Sequence, residues 1–533
     1  MQNPSHCQWL RGLVTGALWT IATAGQEPQT GAADPGALLP EPALAVLELA
    51  DAGALVAGLE RMVLPLPGEL AQVGGPLLGA ALVALQATLG CTPQELASRL
   101  VPERAALALV PGPGRLEYVL VSRVPATAEL QEILVRAKAV DRVALADGWL
   151  IAASTPALRE AALARRLAVP RRAVAALPPG ELRLVIDLAH IRGLQGPGAE
   201  SLWGRLDAGG RLLVGPLAAA IDRAERAELR LTIRDRLLRV TGTLHGGAAG
   251  GEHPGTRLVR GKPIALPPLP AGTLARLVLD RDLGWALQHL DAVFRAEDVA
   301  RIRSGFSIAE ALLGGTSVAD ELAPALGPLV LHVLSREDAA GDGPRPRVVL
   351  PWFVFSAEVG QAQATAALRK GFRSLATIHN AERVQRGEAP YRPTQQQVDA
   401  WQLLVLEEPE WLRADAPPTA HQFSPTLLCA HGHVILASDR TAALQLARAL
   451  GEPRQELVPG DAIRLAGGAI ARYLAANTNF VRLARMLDEG ESALVAGRFT
   501  QGLIAAVAAS ELEFEWALDG QAIRAELRLR RQP

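Results

Sequence analysis

The chain has 533 residues, 49% of them apolar, with 54 Lys and Arg against 55 Asp and Glu. That length exceeds one ordinary core, so roughly two to four domains are expected. The formal charge of −1 gives no reason to expect nucleic acid or an anionic membrane as a partner. Cysteine occurs only at Cys7, Cys91 and Cys429, which excludes a disulfide scaffold. Lysine occurs only at Lys138, Lys262 and Lys370, so the abundant arginine reads as compositional bias and not as a binding signature.

Taken in order, Met1–Arg11 carries one firm positive charge, Gly12–Ile21 is apolar, and Ala22-Thr23-Ala24 fits a small-x-small cleavage site. Residues 1–24 are therefore predicted to be a signal peptide, which places the protein in the periplasm or cell envelope. Residues 25–37 form a linker. No later stretch reaches the ~18 apolar residues of a membrane-spanning helix. A first α+β half, 38–245, opens with LLPEPALAVLELADAGALVAGLERM, a strand Leu44–Leu49 and then a helix with Asp51 as its cap. Thr92-Pro93-Gln94-Glu95 starts another helix. Strands follow at Ala105–Val110 and Leu116–Val124, then a hairpin turning at Asp147-Gly148, and Thr155-Pro156 opens a helix. A second strand–helix phrase begins at Glu181, with a long helical stretch at Ser201–Arg226. Strands Ala227–Arg234 and Leu237–Leu244 close the half. Their alternation of Leu229, Leu231 and Ile233 with Arg230, Thr232 and Arg234 suits a sheet with one wet face.

Residues 246–265, rich in Gly and Pro, read as an interdomain linker. The second half, 266–533, repeats the order. LPAGTLARLVLDRDLGWALQHL at Leu269–Leu290 sets Pro270 on Pro40 and Leu277 on Leu47 at one constant offset. The offset is slightly larger for Val359 on Val124 and much larger for Gly432 on Gly148. The enlargement is an insertion, 378–425, expected to be loop-like around RGEAPYRPTQQQ with one strand, QLLVLEE. A weaker phrase begins at Asp461, where Gly467-Gly468 replaces the acidic turn. The predicted fold is α+β: two tandem homologous halves, each an antiparallel sheet with helices mainly on one face, containing split-βαβ (ferredoxin-like) units.

The phrases LPEPALAVLELADAGALVAGL, ADGWLIAASTPAL and AHGHVILASDRTAAL resemble exported bacterial proteins grouped only as a domain of unknown function. The resemblance implies export and a two-half α+β build, and brings no catalytic residues.

The chain contains no G-x-S-x-G, S-x-x-K, H-E-x-x-H, Walker lysine or G-x-G-x-x-G motif. Cys429-Ala-His431-Gly-His433 would suit zinc or copper if extended, with His421 as a fourth ligand. The repeat instead puts His431-Gly432-His433 on the turn at Asp147-Gly148-Trp149, so no metal or other cofactor is expected. Asp187 with His190, Asp280 and Asp282 read as helix caps rather than acid–base groups. Arg165, Arg166, Arg171 and Arg172 read as a solvated helix end. Aromatics are 4% of the chain, yet Tyr391, Trp401 and Trp411 all fall in the insertion. With His421 they are the candidate binding residues. The function these features point to is a non-enzymatic envelope scaffold or binding module, its partner another envelope protein. The alternatives are a hydrolase or metal-dependent enzyme centred on the insertion, and a small-ligand binder using the cleft between halves.

Overall fold

The structure, a computed structural model, describes residues 39, 43–51, 104–112, 115–124, 140–146, 148–168, 177, 181–195, 200–234, 236–246, 253–336, 348–408, 423–453, 456–519 and 522–531. It is α+β, with helices and antiparallel strands. The described residues divide into two compact units. One is drawn from Met1–Ala199, Ala224–Gly246 and Arg528–Pro533, the other from Glu200–Arg223 and Gly247–Leu527.

The first unit contains β1 (Ala45–Ala50), β2 (Arg104–Gly112), β3 (Arg115–Arg123), β4 (Val143–Ala146), β5 (Trp149–Ala153), α1 (Pro156–Ala168), β6 (Glu181–Asp187), α2 (Leu188–Gln195), β7 (Arg226–Arg234) and β8 (Leu237–His245). Hydrogen bonding orders its strands β4-β5-β3-β2-β1-β6-β7-β8, every pair antiparallel. Local chemistry sets the boundaries. Gly148 takes φ 77° at the β4–β5 turn. The Thr155 hydroxyl accepts from Leu158 N at 3.3 Å, and Pro156 is the first residue of α1. The Asp187 carboxylate accepts from His190 N at 2.8 Å, so this pair is a cap. The helix expected after Asp51 lies outside the described residues. On β7, Leu231 and Ile233 are buried while Arg230 and Arg234 are exposed, as the alternation requires. Strand β5 differs, for all five of its residues are buried. Both faces of the sheet are covered there.

The second unit contains α3 (Gly215–Arg223), β9 (Ile264–Leu266), β10 (Thr273–Leu279), α4 (Leu283–Gln288), α5 (Ala296–Leu312), β11 (Leu326–Leu334), β12 (Trp352–Val359) and α6 (Ala362–Gln385). It continues with β13 (Arg392–Val398), β14 (Trp401–Glu407), β15 (Thr426–Ala430), β16 (His433–Ala437), α7 (Arg440–Leu450), β17 (Glu456–Val458), β18 (Asp461–Ala466), α8 (Gly467–Ala476), α9 (Thr478–Asp488), α10 (Ala493–Ala508) and β19 (Ser510–Asp519). Its main strand order is β13-β14-β15-β16-β12-β11-β10-β18-β19, again antiparallel throughout. Strands β9 and β17 form a separate pair.

Leaving aside β13 and β14, the order β15-β16-β12-β11-β10-β18-β19 matches β4-β5-β3-β2-β1-β6-β7 strand for strand. The register matches too. Leu47 faces Leu107 and Leu107 faces Leu120, while Leu277 faces Leu331 and Leu331 faces Phe355. Phe355 stands to Leu120 as Val359 stands to Val124, the offset read from the sequence. Leu120 in turn faces Ala152 and Phe355 faces Leu436. Leu436 stands to Ala152 as Gly432 stands to Gly148. The split crossover occurs once per unit. The parallel strands β5 and β6, and likewise β16 and β18, are separated by three strands, where a simple ferredoxin-like unit has one.

Three expectations change. Residues 200–223 belong to the second unit, not the first half, because Trp203 and Ala219 are buried with Leu258, Leu290 and Phe294. Residues 253–265 of the expected linker are built into that unit, with Leu258 fully buried and Ile264 and Ala265 in the paired strand β9. The insertion is not loop-like at its start. The helix runs on to Gln385, and RPTQQQV forms β13 along β14. The polar, Pro-containing β13 is an edge strand, the place where such a sequence is tolerated.

Gly467-Gly468 has a steric explanation. A Cβ on Gly467 would collide with the carbonyl oxygens of Val507 and Ser510, so α8 can approach the end of α10 only with glycine here. Both obstacles are backbone and cannot rotate aside. Gly467→Ala is expected to cost about 1–3 kcal/mol or more, measured as a lower urea midpoint. Gly468→Ala, which meets only Ala508 O at 4.0 Å, serves as the tolerated control.

Candidate functional site

Tyr391, in the insertion, is half-buried: it stacks on His379 at 5.7 Å between centroids, and the Arg383 guanidinium lies 4.1 Å from its ring. Asn380 clamps its backbone, accepting from Tyr391 N at 2.7 Å and donating to Tyr391 O at 2.8 Å. Trp401 packs on the core of β15, β16 and α7 and meets His431 edge-on at 5.8 Å. Both aromatics therefore fasten the β13–β14 hairpin to its neighbours. Trp411 and His421 lie outside the described residues.

His431 and Gly432 occupy the β15–β16 turn at φ 49° and 75°. Cys429 faces Val434 and His433 faces Ala430, consecutive positions whose side chains take opposite faces. Cys429 is a free, half-buried thiol; Cys91 lies outside the described residues. Among the described residues no group of three or more His, Cys, Asp or Glu is placed to hold a metal ion.

The sheet of the second unit has one face the sequence did not single out. A cross-strand row runs Leu436, Phe355, Leu331, Leu277, Ile463, Phe514 across six strands. The next row runs Phe353, Val333, Ala275, Leu465, Leu512. Phe355 is 53% exposed, Leu436 44% and Phe353 40%. Their register counterparts in the first unit are Leu120, Ala152 and Tyr118, all buried, Leu120 being only 4% exposed. Positions that match in strand order and register are thus buried in the first unit and exposed in the second. The sequence signal was ambiguous: WFVFSAEV is apolar on both alternating faces, so it reads as doubly buried.

The open face has limits. Beyond Leu436 the same row continues through Leu427 and Leu404 to Gln395, where α6 lies over it. Arg369 donates to Gln402 Oε1 at 3.3 Å and Arg373 to Gln395 Oε1 at 3.1 Å, and Leu404 and Leu427 are buried. The insertion therefore contributes to this surface by building its bank. At one end of the strands, Asp461 and Trp516 face each other and are buried. Arg281 closes that end, with Nη1 2.7 Å from Asp461 Oδ1 and Nη2 2.6 Å from Oδ2. Its Nη2 also donates to Leu213 O at 2.6 Å, and its guanidinium lies 5.8 Å from the Trp516 ring. Burial raises the Asp461 carboxyl above its ordinary value, with Arg281 opposing. Asp282 caps α4, accepting from Trp285 N at 2.9 Å. Asp280 is not a cap but accepts from Gly261 N at 2.9 Å, because its side chain turns into the interior.

The opposite face carries a row with four polar members, of which His332 and Arg276 are buried. Ala437, Val354, His332, Arg276, Arg464 and Glu513 are successive partners, where the first unit has Ala153, Val119, Ala108, Val46, Val185 and Glu228. Arg276 donates to Glu456 at 2.6 Å from beneath β17. His332 is 1% exposed and its Nδ1 finds no hydrogen-bond partner among the described residues. Burial, with Arg276 beside it, holds its pKa down to about 3.

The fold and this surface define an α+β protein whose second unit carries an open apolar sheet face. No protein-family description and no curated protein matches the chain. A solved structure described as crystal form III of TP0453 is similar over 44% of this chain and 90% of its own, at 13% identity. Its TM-score of 0.23 is too low for that likeness to bear on fold or function. Among the described residues, no helix is long and apolar enough to cross a membrane.

Proposed function

We propose that the chain is a non-enzymatic, exported binding module made of two copies of one α+β unit, and that the apolar face of its second unit is the working surface. The observation that carries this is the exposure of Phe353, Phe355 and Leu436 at positions whose counterparts in the first unit are buried. A contiguous exposed apolar patch of a few hundred Å² is often a functional surface. The shared strand order and register support two copies. The export-like start, residues 1–24, and the resemblance to exported proteins of unknown function support the envelope. The metal-centred alternative draws no such support, since Cys429 and His433 take opposite faces of their hairpin.

The test is saturable binding of N-phenyl-1-naphthylamine. The wild-type chain is expected to bind it stoichiometrically. Phe353→Ser/Phe355→Ser is expected to lose that binding while staying within about 1 kcal/mol of wild-type stability, as for surface positions. A variant several kcal/mol less stable would show the face to be core, and the reading would fall.

A further inference from the structure

Resting on that reading of the surface, we propose that the occupant of the open face is a glycerophospholipid held by its acyl tails. Area argues this first. One row across six strands and a second across five, at about 4.8 Å between strands and 3.4 Å per residue, give a patch of roughly 300–400 Å². A stable second copy or an ordinary protein partner needs roughly 800 Å² per side, about twice what is open. The patch is bounded at one end by the buried Arg281–Asp461 pair and alongside β15 by α6.

Hydrogen bonding argues it second. Strand amides and carbonyls are occupied in the ladders, and every member of the two rows named above is apolar. Ser438, opposite Phe353, uses its hydroxyl to accept from Phe353 N at 3.0 Å. Protein interfaces carry about one hydrogen bond per 100–200 Å², and these rows can form none through their side chains. Hydrocarbon needs none. The rows also hold no cation to receive a carboxylate, so a lipid whose headgroup stays in water fits better than a free fatty acid.

The full chain is mixed with dioleoylphosphatidylcholine vesicles doped with pyrene-labelled phosphatidylcholine, the vesicles are removed by flotation, and lipid left with the protein is counted. The expected result is stoichiometric retention with loss of pyrene excimer emission. Phe353→Ser/Phe355→Ser should lower retention roughly tenfold or more. Phe480→Ser/Leu487→Ser, on α9 and at least as exposed, should leave it unchanged. Absence of lipid alongside intact naphthylamine binding overturns the lipid and leaves the binding surface standing; absence of both overturns both. Retention of oleate but not phospholipid overturns it as well. So does a dimer in sedimentation that the Phe353→Ser/Phe355→Ser variant dissolves.

Discussion

Replacing Arg281 with leucine is expected to remove roughly 3–5 kcal/mol of stability from the second unit, the cost of breaking a buried ion pair from one side. The side chain is 1% exposed and Asp461, its bidentate partner, is buried with it. Asp461 also accepts from Asp280 N at 2.8 Å, so one carboxylate ties the end of β10 to the start of β18. Arg281 adds bonds to the carbonyls of Leu212, Leu213 and Asp280. Leucine supplies none of these and leaves a carboxylate stranded away from water. Urea unfolding followed by tryptophan fluorescence is the measurement. Arg281→Leu/Asp461→Leu, which removes both charges, should be less destabilised than the sum of its single variants. Simple additivity would show that the pair is not coupled.

A second large effect is expected in acid. The folded pKa of His332 is about 3 against an ordinary 6.5, so the native state holds the ring neutral while the unfolded chain takes up a proton below pH 6.5. The stability this group contributes is complete above pH 6.5 and is lost as pH falls toward 3. At 1.36 kcal/mol per pH unit, the loss between pH 6.5 and 4.5 is on the order of 3 kcal/mol. His332→Ala installs the residue found at the matching position, Ala108, and should flatten the curve over that window. Burial raises the carboxyls of Asp280 and Asp461, but both remain in the variant and cancel in the comparison. Parallel stability curves for the two proteins would rule His332 out as the titrating group.

The polar row containing His332 also shows why the first unit is informative about the second. Val46, Ala108 and Val185 fill the positions of Arg276, His332 and Arg464 in an identical register. The same strand order and register therefore form without charge at those positions. In the second unit the charge is met by Glu456 of β17, which pairs with both Arg276 and Arg464.

Much of the architecture was already determined by the sequence. The offsets that pair Leu277 with Leu47, Val359 with Val124 and Gly432 with Gly148 reappear as strand registers. Gly148 and His431-Gly432 take positive φ at their turns, and the Thr155 and Asp187 caps and the alternating β7 form as their residues dictate. These are local matters: a cap or a turn is settled by dihedral preferences and hydrogen bonds within a few positions. Tertiary structure decided the rest. RPTQQQV has weak strand propensity and becomes β13 only because QLLVLEE lies beside it. Residues 200–223 follow the Trp203 cluster across the chain order. Arg281 meets Asp461 from 180 residues away, a contact no local pattern encodes. The functional surface is of the same kind. The sequence shows β12 to be apolar on both faces, but covering depends on which helices arrive. On β12, α7 packs against Val354's face, while α6 covers the other face over β14 and β15 and stops short of Phe353 and Phe355.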